Sequence, residues 1–572
     1  MRGSPAEERR GAAANATRLG ACLVVLAVVA VAFRPLWSGL GAFNDDYPAV
    51  YLRIHQYFQE FRHGHLPAAF PDVVQGGGSA FPLFYPPLAY YIGAGVYAIV
   101  GDMVWAGHLA ALLSLLLSAA SMMWVARQLG APPAVAVMAG LAYATFPYRF
   151  TNVLVRGALA ESWALVWLPL VFGSAVRLVR NAGSGLPLAF WTSLLLLTHT
   201  GLALWSLPLV LVTALAGCRR ARLSRATLEV VGWTAAGAGL AAWYLLPTWY
   251  YLPTVRASDP EVMFATAREF VRWRVEWRQA VGVDPLVVHP VSGRPLQVPM
   301  ALSIGLSSLV LPFALVLGQR AARKAKLLPA GGIPTELAAA MTAAVGLLVV
   351  VYPRLVSGWV PGPWLYLQFP YRLLGVAGML ATIAAAVAIG KLVGSRSGLL
   401  LFLAWGAVVG WTVIFEARRP QPAWQASHAD LVPLLARRDK GLTARYEYFP
   451  KTNEPETVGP RVQAARDSLR ARAIHLRDTT NELQVTLHLE QPTRVVLPRV
   501  AYAFLAVEDH AGRGLPVFAE NGLLAVELPA GANTLSVKRR MPWPIGLGIT
   551  VSLLAAVLLG VLAPRRVLKN ST

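Results

Sequence analysis

The chain has 572 residues, of which 56% are hydrophobic and only 14% charged, and its mean hydropathy is +0.51. So few charges cannot cover a soluble surface of this size, and the apolar residues fall in long runs, which excludes a soluble enzyme, a disordered chain and a disulfide scaffold. The formal net charge of +22 is what Lys- and Arg-rich cytoplasmic loops would give a polytopic membrane protein, so no nucleic-acid partner is expected.

In chain order, Arg2, Arg9, Arg10 and Arg18 precede a first apolar run, Leu19–Phe33. Arg34-Pro35-Leu36-Trp37 stands where a small-residue cleavage site would be, so this segment reads as an uncleaved anchor. Further runs cover Val104–Val125, Ala134–Phe146, Ser162–Val176, Leu186–Leu197, Leu202–Ala216 and Ala226–Leu246. Then come Met300–Leu317, Leu337–Val351, Leu373–Ile389, Leu399–Phe415 and Ile545–Leu562, twelve in all. The basic clusters at Arg127, Arg177 and Arg180, Arg219–Arg225, Arg320–Lys326, Lys391 and Arg396, and Arg565–Lys569 all fall on one side if the runs cross alternately from an inside start. That regularity predicts an all-α polytopic protein of the plasma membrane with about twelve transmembrane helices and both termini cytoplasmic. Pro86–Val100 is apolar but short and headed by proline. Crossing there would put Arg127 outside, so an interfacial or re-entrant helix is expected. Leu186–Ala216 has to cross twice, turning at Thr198-His199-Thr200-Gly201, with little length for two spans. Cys22 and Cys218 lie within or at the end of apolar runs, which predicts neither a disulfide nor a zinc site.

On this topology a transmembrane domain, 1–415, carries extracytoplasmic loops 38–103 and 248–299, the second holding Arg272-Trp273-Arg274-Val275-Glu276-Trp277-Arg278. That stretch suits stacking on sugars as well as lying along headgroups. An extracytoplasmic domain, 416–542, precedes the final helix and basic tail, 543–572. Its second half reads as strands: Leu483, Val485, Leu487 and Leu489 alternate with polar residues. Turn signals follow at Gly512-Arg513-Gly514, Asn521-Gly522 and Ala530-Gly531-Ala532-Asn533. No internal repeat or low-complexity linker stands out.

The first loop opens with Asn44-Asp45-Asp46-Tyr47-Pro48. Val50, Ile54, Tyr57, Phe58 and Phe61 then recur at helical spacing, with Arg53, Gln56, Glu60 and His63 on other faces, the pattern of an amphipathic helix at the membrane surface. Asp46 suits the N-cap of that helix, with Pro48 in its first turn, and it equally suits a catalytic carboxylate. Adjacent residues of an extended chain point to opposite sides, so one of Asp45 and Asp46 is expected to work and the other to be structural.

A carboxylate just after the first transmembrane helix, a juxtamembrane amphipathic segment, many helices and an extracytoplasmic C-terminal domain resemble the GT-C superfamily of membrane glycosyltransferases. Gly76-Gly77-Gly78 through Phe84-Tyr85-Pro86-Pro87-Leu88, Val155-Arg156-Gly157-Ala158-Leu159-Ala160-Glu161 and Gln368-Phe369-Pro370-Tyr371-Arg372 resemble the bacterial membrane proteins called 6-pyruvoyl-tetrahydropterin-synthase-related, and the YfhO group within GT-C. Pro529-Ala530-Gly531-Ala532-Asn533 is similar to the YfhO-type tail. The resemblance implies a GT-C-like fold and transfer of a sugar from a polyprenyl-phosphate donor to an extracytoplasmic glycan or lipid. Asp46 or Asp45 would take the acceptor's proton or help hold a divalent metal. The pterin-synthase name implies a zinc enzyme, but no histidine triad is present in the sequence, and His55, His63 and His65 match no metal-binding spacing.

Arg53, Arg149, Arg156 and Arg372 lie on the outer side, against the positive-inside tendency. Binding of a lipid-linked phosphate explains such cations; so does a partner carboxylate such as Glu161, or snorkelling to headgroups. Phosphate binding is the reading adopted for Arg156 and Arg372, which lie in family-like motifs, and the structural reading is adopted for Arg149. Glu161 opens a helix, where the dipole favours a carboxylate, and it could also pair with Arg156 or help bind a metal. His199, alone at a turn, reads more readily as a structural residue than as a ligand. Gly76-Gly77-Gly78 is expected to be a flexible turn, since no strand-to-helix phosphate loop surrounds it. The rival functions are a lipid or polysaccharide transporter or flippase, which would place ionisable residues near the bilayer midplane, and a non-catalytic envelope-assembly subunit.

Overall fold

A computed structural model describes residues 5–42, 46–65, 77–216, 222–259, 286–287, 300–301, 342, 344–345, 370–392, 395–417, 424–431, 449–451, 455–478, 483–539 and 543–567. Its helices are α1 Pro5–Ala32, α2 Tyr47–Arg62, α3 Phe81–Phe84, α4 Leu88–Val100, α5 Met103–Gln128, α6 Pro133–Ala144, α7 Pro147–Phe150 and α8 Leu159–Val179. These are followed by α9 Leu186–Thr198, α10 Thr200–Leu215, α11 Leu223–Leu240, α12 Ala242–Tyr251, α13 Leu374–Leu392, α14 Arg396–Ala417, α15 Pro455–Arg472 and α16 Trp543–Val567. Among the described residues five helices are long and apolar enough to cross a membrane, Met103–Gln128, Leu159–Val179, Tyr371–Leu392, Gly398–Glu416 and Trp543–Val561, or six if the bent pair Leu223–Leu240 and Ala242–Thr254 is one span. Every apolar run except Met300–Leu317 and Leu337–Val351 forms helix; most of those two lies outside the described residues. Asp102 starts α5 cleanly, its carboxylate accepting the N–H groups of Val104 and Trp105 at 2.8 and 2.9 Å.

Three segments differ from the sequence pattern. The run Ala226–Leu246 is bent by 76° between α11 and α12. The cause is a side chain from α16: Ser552 Oγ accepts the Trp243 N–H and donates to Gly239 O, each at 3.1 Å, which satisfies the backbone groups freed by the break. Second, α9 and α10 have 13 and 16 residues, below the roughly 20 that a span requires. Third, α2 is no surface helix. Arg53, Gln56 and Glu60 are buried along with Val50, Ile54 and Tyr57, because α2 packs against α4 and α5 and both its faces are covered.

Short strands β1 Gly41–Ala42, β2 Leu286–Val287, β3 Met300–Ala301 and β4 Trp424–Ala426 pair as β1 with β4 and β2 with β3. The remaining strands are β5 Ala473–Asp478, β6 Leu483–Leu489, β7 Thr493–Val500, β8 Leu505–Asp509, β9 Gly514–Leu515, β10 Val517–Glu520, β11 Leu523–Leu528 and β12 Gly531–Arg539. They form a β domain ahead of the last helix from two antiparallel sheets, one ordered β5-β6-β12-β8-β9 and the other β10-β11-β7. Leu483, Val485, Leu487 and Leu489 are the buried positions of β6, as their alternation predicts. Asn521 and Gly522 both take positive φ, at 51° and 79°, and close the two-residue β10–β11 hairpin. Val458, Val462, Ala465 and Leu469, on one face of α15, join the same core.

The β domain rests on the chain just before α4. Val500 N–H donates to Gly77 O at 2.9 Å, and Ala80, Leu83 and Phe84 share one apolar cluster with Tyr251, Val255 and Phe504. Within the domain, the buried Asp478 carboxylate receives Arg466 Nε at 2.6 Å and Arg499 Nη2 at 2.8 Å. Burial alone would push this carboxyl up, but Arg499 and Arg466 outweigh it and hold it below the usual carboxylate range. Because the folded value is depressed, the stabilisation is present above the unfolded pKa, about 3.9, and is lost as pH falls below it. Asp478→Ala, which strands two buried guanidinium groups, is expected to destabilise the domain by about 3–5 kcal/mol. Protease susceptibility of residues 473–539 in the full-length protein, measured against denaturant, checks this.

Candidate functional site

The segment between α6 and α8 brings the candidate residues together. After α7 the chain makes one π turn, Thr151–Val155, so that Arg156 N–H reaches Thr151 O at 2.8 Å and Arg156 lands one turn above Asn152. Arg156 Nη1 then donates to Asn152 Oδ1 at 2.7 Å, to Tyr148 OH at 3.2 Å and to Glu161 Oε2 at 3.0 Å. Glu161, in the first turn of α8, also accepts from the Tyr148 hydroxyl and, at 3.0 Å, from Asn152 Nδ2. Arg372, from the single turn that precedes α13, brings its Nε to 3.7 Å from the same Glu161 oxygen. The Arg156 guanidinium lies 5.1 Å from the centre of the Tyr371 ring, which meets Tyr148 edge-on. Arg156, Glu161 and Arg372 are all more than nine-tenths buried.

Gly157 follows Arg156 with φ +64°. A Cβ there would lie 2.6 Å from the Tyr47 ring, so glycine is required both by the backbone and by the aromatic lid laid on it. Tyr47 in turn hydrogen-bonds Val153 O. These contacts fix the turn before α2, where Asp46 N–H donates to Arg156 O at 3.0 Å. Asp46 precedes α2, with Pro48 in the first turn, but its side chain makes no capping hydrogen bond. The carboxylate is half-buried and within electrostatic reach of the Tyr90 hydroxyl. Asp45, Gly76, the stretch Arg272–Arg278 and Gln368-Phe369 lie outside the described residues.

The other candidates take separate places. Arg53 donates to Tyr90 OH at 3.2 Å and sits 3.9 Å over the Phe81 ring, a cation–π contact inside the protein. Arg149 is fully buried between α5 and α8, donating to Ser118 Oγ at 2.7 Å and Ser162 O at 3.4 Å, with no carboxylate partner among the described residues. His199 lies between α9 and α10, where its Nδ1 accepts the Leu202 N–H at 3.1 Å and so caps α10. Its ring is within electrostatic reach of Arg372 and Glu161. Among the described residues no three His, Cys, Asp or Glu side chains stand close enough to hold a metal ion.

Tyr148 and Asn152 are site residues that pattern reading passes over, and Tyr371 enters it only as a member of the Gln368–Arg372 motif. A signal for them exists: the tetrapeptide Phe-Pro-Tyr-Arg occurs twice, at 146–149 and 369–372, and the fold brings the two tyrosines together with ring centres 6.2 Å apart.

Residues 83–417, more than half of the chain, match the family model described as a 6-pyruvoyl-tetrahydropterin synthase related domain, a membrane protein. The chain belongs to this family. Comparison of this 6-pyruvoyl-tetrahydropterin synthase related protein with curated proteins finds no match. Similar solved structures include the apo oligosaccharyltransferase of Archaeoglobus fulgidus, 11% identical with a TM-score of 0.42 over 78% of this chain and 58% of that one. Another is AglB of the same organism with an inhibitory peptide and a dolichol-phosphate, 13% identical with a TM-score of 0.40 over 70% and 55%. A third is ArnT of Cupriavidus metallidurans bound to undecaprenyl phosphate, 16% identical with a TM-score of 0.36 over 80% of each chain. This family member thus spans 58% and 55% of the two archaeal enzymes' lengths.

Glu161→Ala would leave Arg156 and Arg372 without the carboxylate that holds them and is expected to cost about 3–5 kcal/mol. Glu161→Gln, which keeps one acceptor oxygen, is expected to cost less. Thermal unfolding of the detergent-solubilised protein measures both. Gly157→Ala is expected to lower the melting temperature as well, through its positive φ and the displaced Tyr47.

Proposed function

We propose that this protein is a membrane glycosyltransferase that moves a sugar from a polyprenyl-phosphate donor to a glycan or lipid acceptor on the extracytoplasmic side of the plasma membrane. The motif resemblance to GT-C enzymes supports the reaction class. The observation that carries the reading is the Asp46–Arg156 backbone hydrogen bond at 3.0 Å, which sets a carboxylate-bearing turn against a buried arginine node. In this reading Asp46 is the base and Arg156 the anion site, the two groups that a displacement at an anomeric carbon requires.

In this reading the acceptor hydroxyl oxygen attacks the anomeric carbon as the bond from that carbon to the phosphate oxygen breaks. The hydroxyl proton passes to the Asp46 carboxylate. The departing lipid phosphate gains negative charge, which Arg156 and Arg372 stabilise. A guanidinium carries five N–H donors in a planar fork, so one edge can engage Glu161 while another engages phosphate. Glu161 is then a positioning group: it turns both guanidinium groups toward one point. A lipid transporter is the second reading, favoured by the fully buried Arg149 inside the helical bundle.

The test compares lipid-linked sugars and extracytoplasmic glycans by mass spectrometry in cells lacking the protein and in cells carrying wild type, Asp46→Asn or Arg372→Gln at matched membrane levels. Loss of one sugar modification with accumulation of its lipid-linked donor is expected in the deletion. Asp46→Asn should slow transfer by about 10²–10⁴-fold. A wild-type profile from Asp46→Asn would remove Asp46 as the base and bring transport forward.

A further inference from the structure

Beyond the arginine node, the half-buried cluster of His55, Tyr97 and His428 is the strongest group of titratable side chains that the proposed reaction does not use. His428 belongs to residues 424–431, which return to the helical domain after α14 and touch it at three places. β4 pairs with β1 in the register Gly41↔Ala426 and Ala42↔Trp424, a few residues upstream of Asp46. Leu431 is fully buried in an apolar cluster with Tyr47, Tyr51, Leu52, Met103 and Val104, immediately downstream of Asp46. Between these contacts, His428 Nδ1 accepts the backbone N–H of Met103, the first residue of α5, at 3.2 Å. The turn that carries Asp46 is therefore gripped on both sides by one strap.

The Met103 N–H can only donate, so His428 Nδ1 has to carry a lone pair, and a doubly protonated imidazolium cannot make this bond. Titratable groups face His428 from several neighbouring elements. From α2, His55 faces the same pocket, its Nδ1 3.2 Å from Tyr97 OH and its Nε2 3.3 Å from Gln59 Nε2. From α4, the Tyr97 ring lies 6.4 Å from the His428 ring, centre to centre. From α5, the Asp102 carboxylate is engaged by the Val104 and Trp105 N–H groups. On the strap, Asp430 accepts from the Ser427 N–H and hydroxyl at 2.7 and 2.6 Å. Further along α2, Glu60 lies 3.6 Å from His65. Burial and the neighbouring His428 hold His55 below its ordinary value.

We propose that His428 is a positioning residue for the Asp46 turn, and that mild acidification releases the 424–431 strap by protonating the His428–His55 pair. Its consequence for transfer rests on the reading of Asp46 as the base, but the strap itself does not. Two imidazolium groups facing one pocket, and a cation facing an N–H donor, destabilise the gripped state. Groups held neutral by that state favour it above their ordinary pKa, about 6.5, and their contribution is lost as pH falls below it.

Hydrogen–deuterium exchange of the full-length protein in lipid nanodiscs, corrected for intrinsic rates, reads the strap without requiring any reaction. The peptides to follow cover residues 46–52 and 103–106, at pH 7.5 and 5.5. In the wild type, protection is expected to fall by about fivefold or more at the lower pH, the equivalent of one lost hydrogen bond. His428→Gln, whose side-chain oxygen can accept the Met103 N–H but cannot titrate, should stay protected at both pH values. His428→Ala should be unprotected at both. A wild type indifferent to pH, a His428→Gln protein that still responds to it, or a His428→Ala protein as protected as wild type would each overturn the proposal. Should the alanine variant fail to fold, the wild-type and glutamine comparison decides. Because glycan analysis of Asp46→Asn tests the base separately, failure of one reading is distinguishable from failure of the other.

Discussion

A carboxylate sealed inside a helical bundle needs partners, and the upper part of this molecule is arranged around supplying them to Glu161. Its donors come from separate pieces of chain: Tyr148 from α7, Asn152 and Arg156 from the π turn and its end, and Arg372 from the turn ahead of α13. Removing any of them leaves charge or a polar atom in a place where water cannot compensate. The requirement therefore fixes the rotation of α8, the entry of α13 and the path of the chain from α6 to α8 together. A neutral, apolar packing of the same volume would hold the helices too. What it would not do is present two guanidinium groups side by side.

The local backbone is shaped to the same end. An ordinary helical turn would not bring the Arg156 N–H to the Thr151 carbonyl, as the π turn does, and the Arg156 side chain bonds Asn152 four residues earlier. Gly157 then leaves the helical region with a positive φ, which frees its surface for the Tyr47 ring and lets the Asp46 N–H reach the Arg156 carbonyl. Irregular backbone of this kind inside an otherwise regular bundle is costly, and it persists where neighbours over-determine it. Here those neighbours are the Glu161 network on one side and the start of α2 on the other.

Much of the fold was legible because it depends on period and composition. Ten of the twelve apolar runs became helices, the alternation at Leu483–Leu489 became the half-buried strand β6, and Asn521-Gly522 became a hairpin turn, each through a local rule. In the site, Arg156, Arg372 and Glu161 were each singled out by the sequence, the cations because they stand against the expected topological bias, and the fold brings the three together. What was not legible depends on contacts between distant residues. The break at Ala241 is imposed by Ser552. The polar face of α2 reads as water-facing because nothing in its sequence announces that Phe81 and Tyr90 will cover Arg53. Tyr148 and Tyr371 carry no charge, so the repeated Phe-Pro-Tyr-Arg is the signal that links them.

The covered face of α2 also bears on how the β domain relates to the site. The short helix α3 is one turn long and has two faces in use: Phe81 lies under the Arg53 guanidinium, while Leu83 and Phe84 are packed into the β domain's core with Phe504 and Tyr251. Tyr244 and Thr248 of α12 donate to the Phe84 and Leu83 carbonyls at 3.1 and 2.7 Å, so α3 is also tied to the bent helix pair that α16 braces. A displacement of the β domain that moved α3 would move the ring beneath Arg53, and with it the aromatic wall beside Tyr90 that the Asp46 charge reaches. Packed interiors transmit such shifts because they have no slack to absorb them. The domain is therefore mechanically continuous with the turn that holds Asp46, through one helical turn that neither its length nor its hydrophobicity would single out.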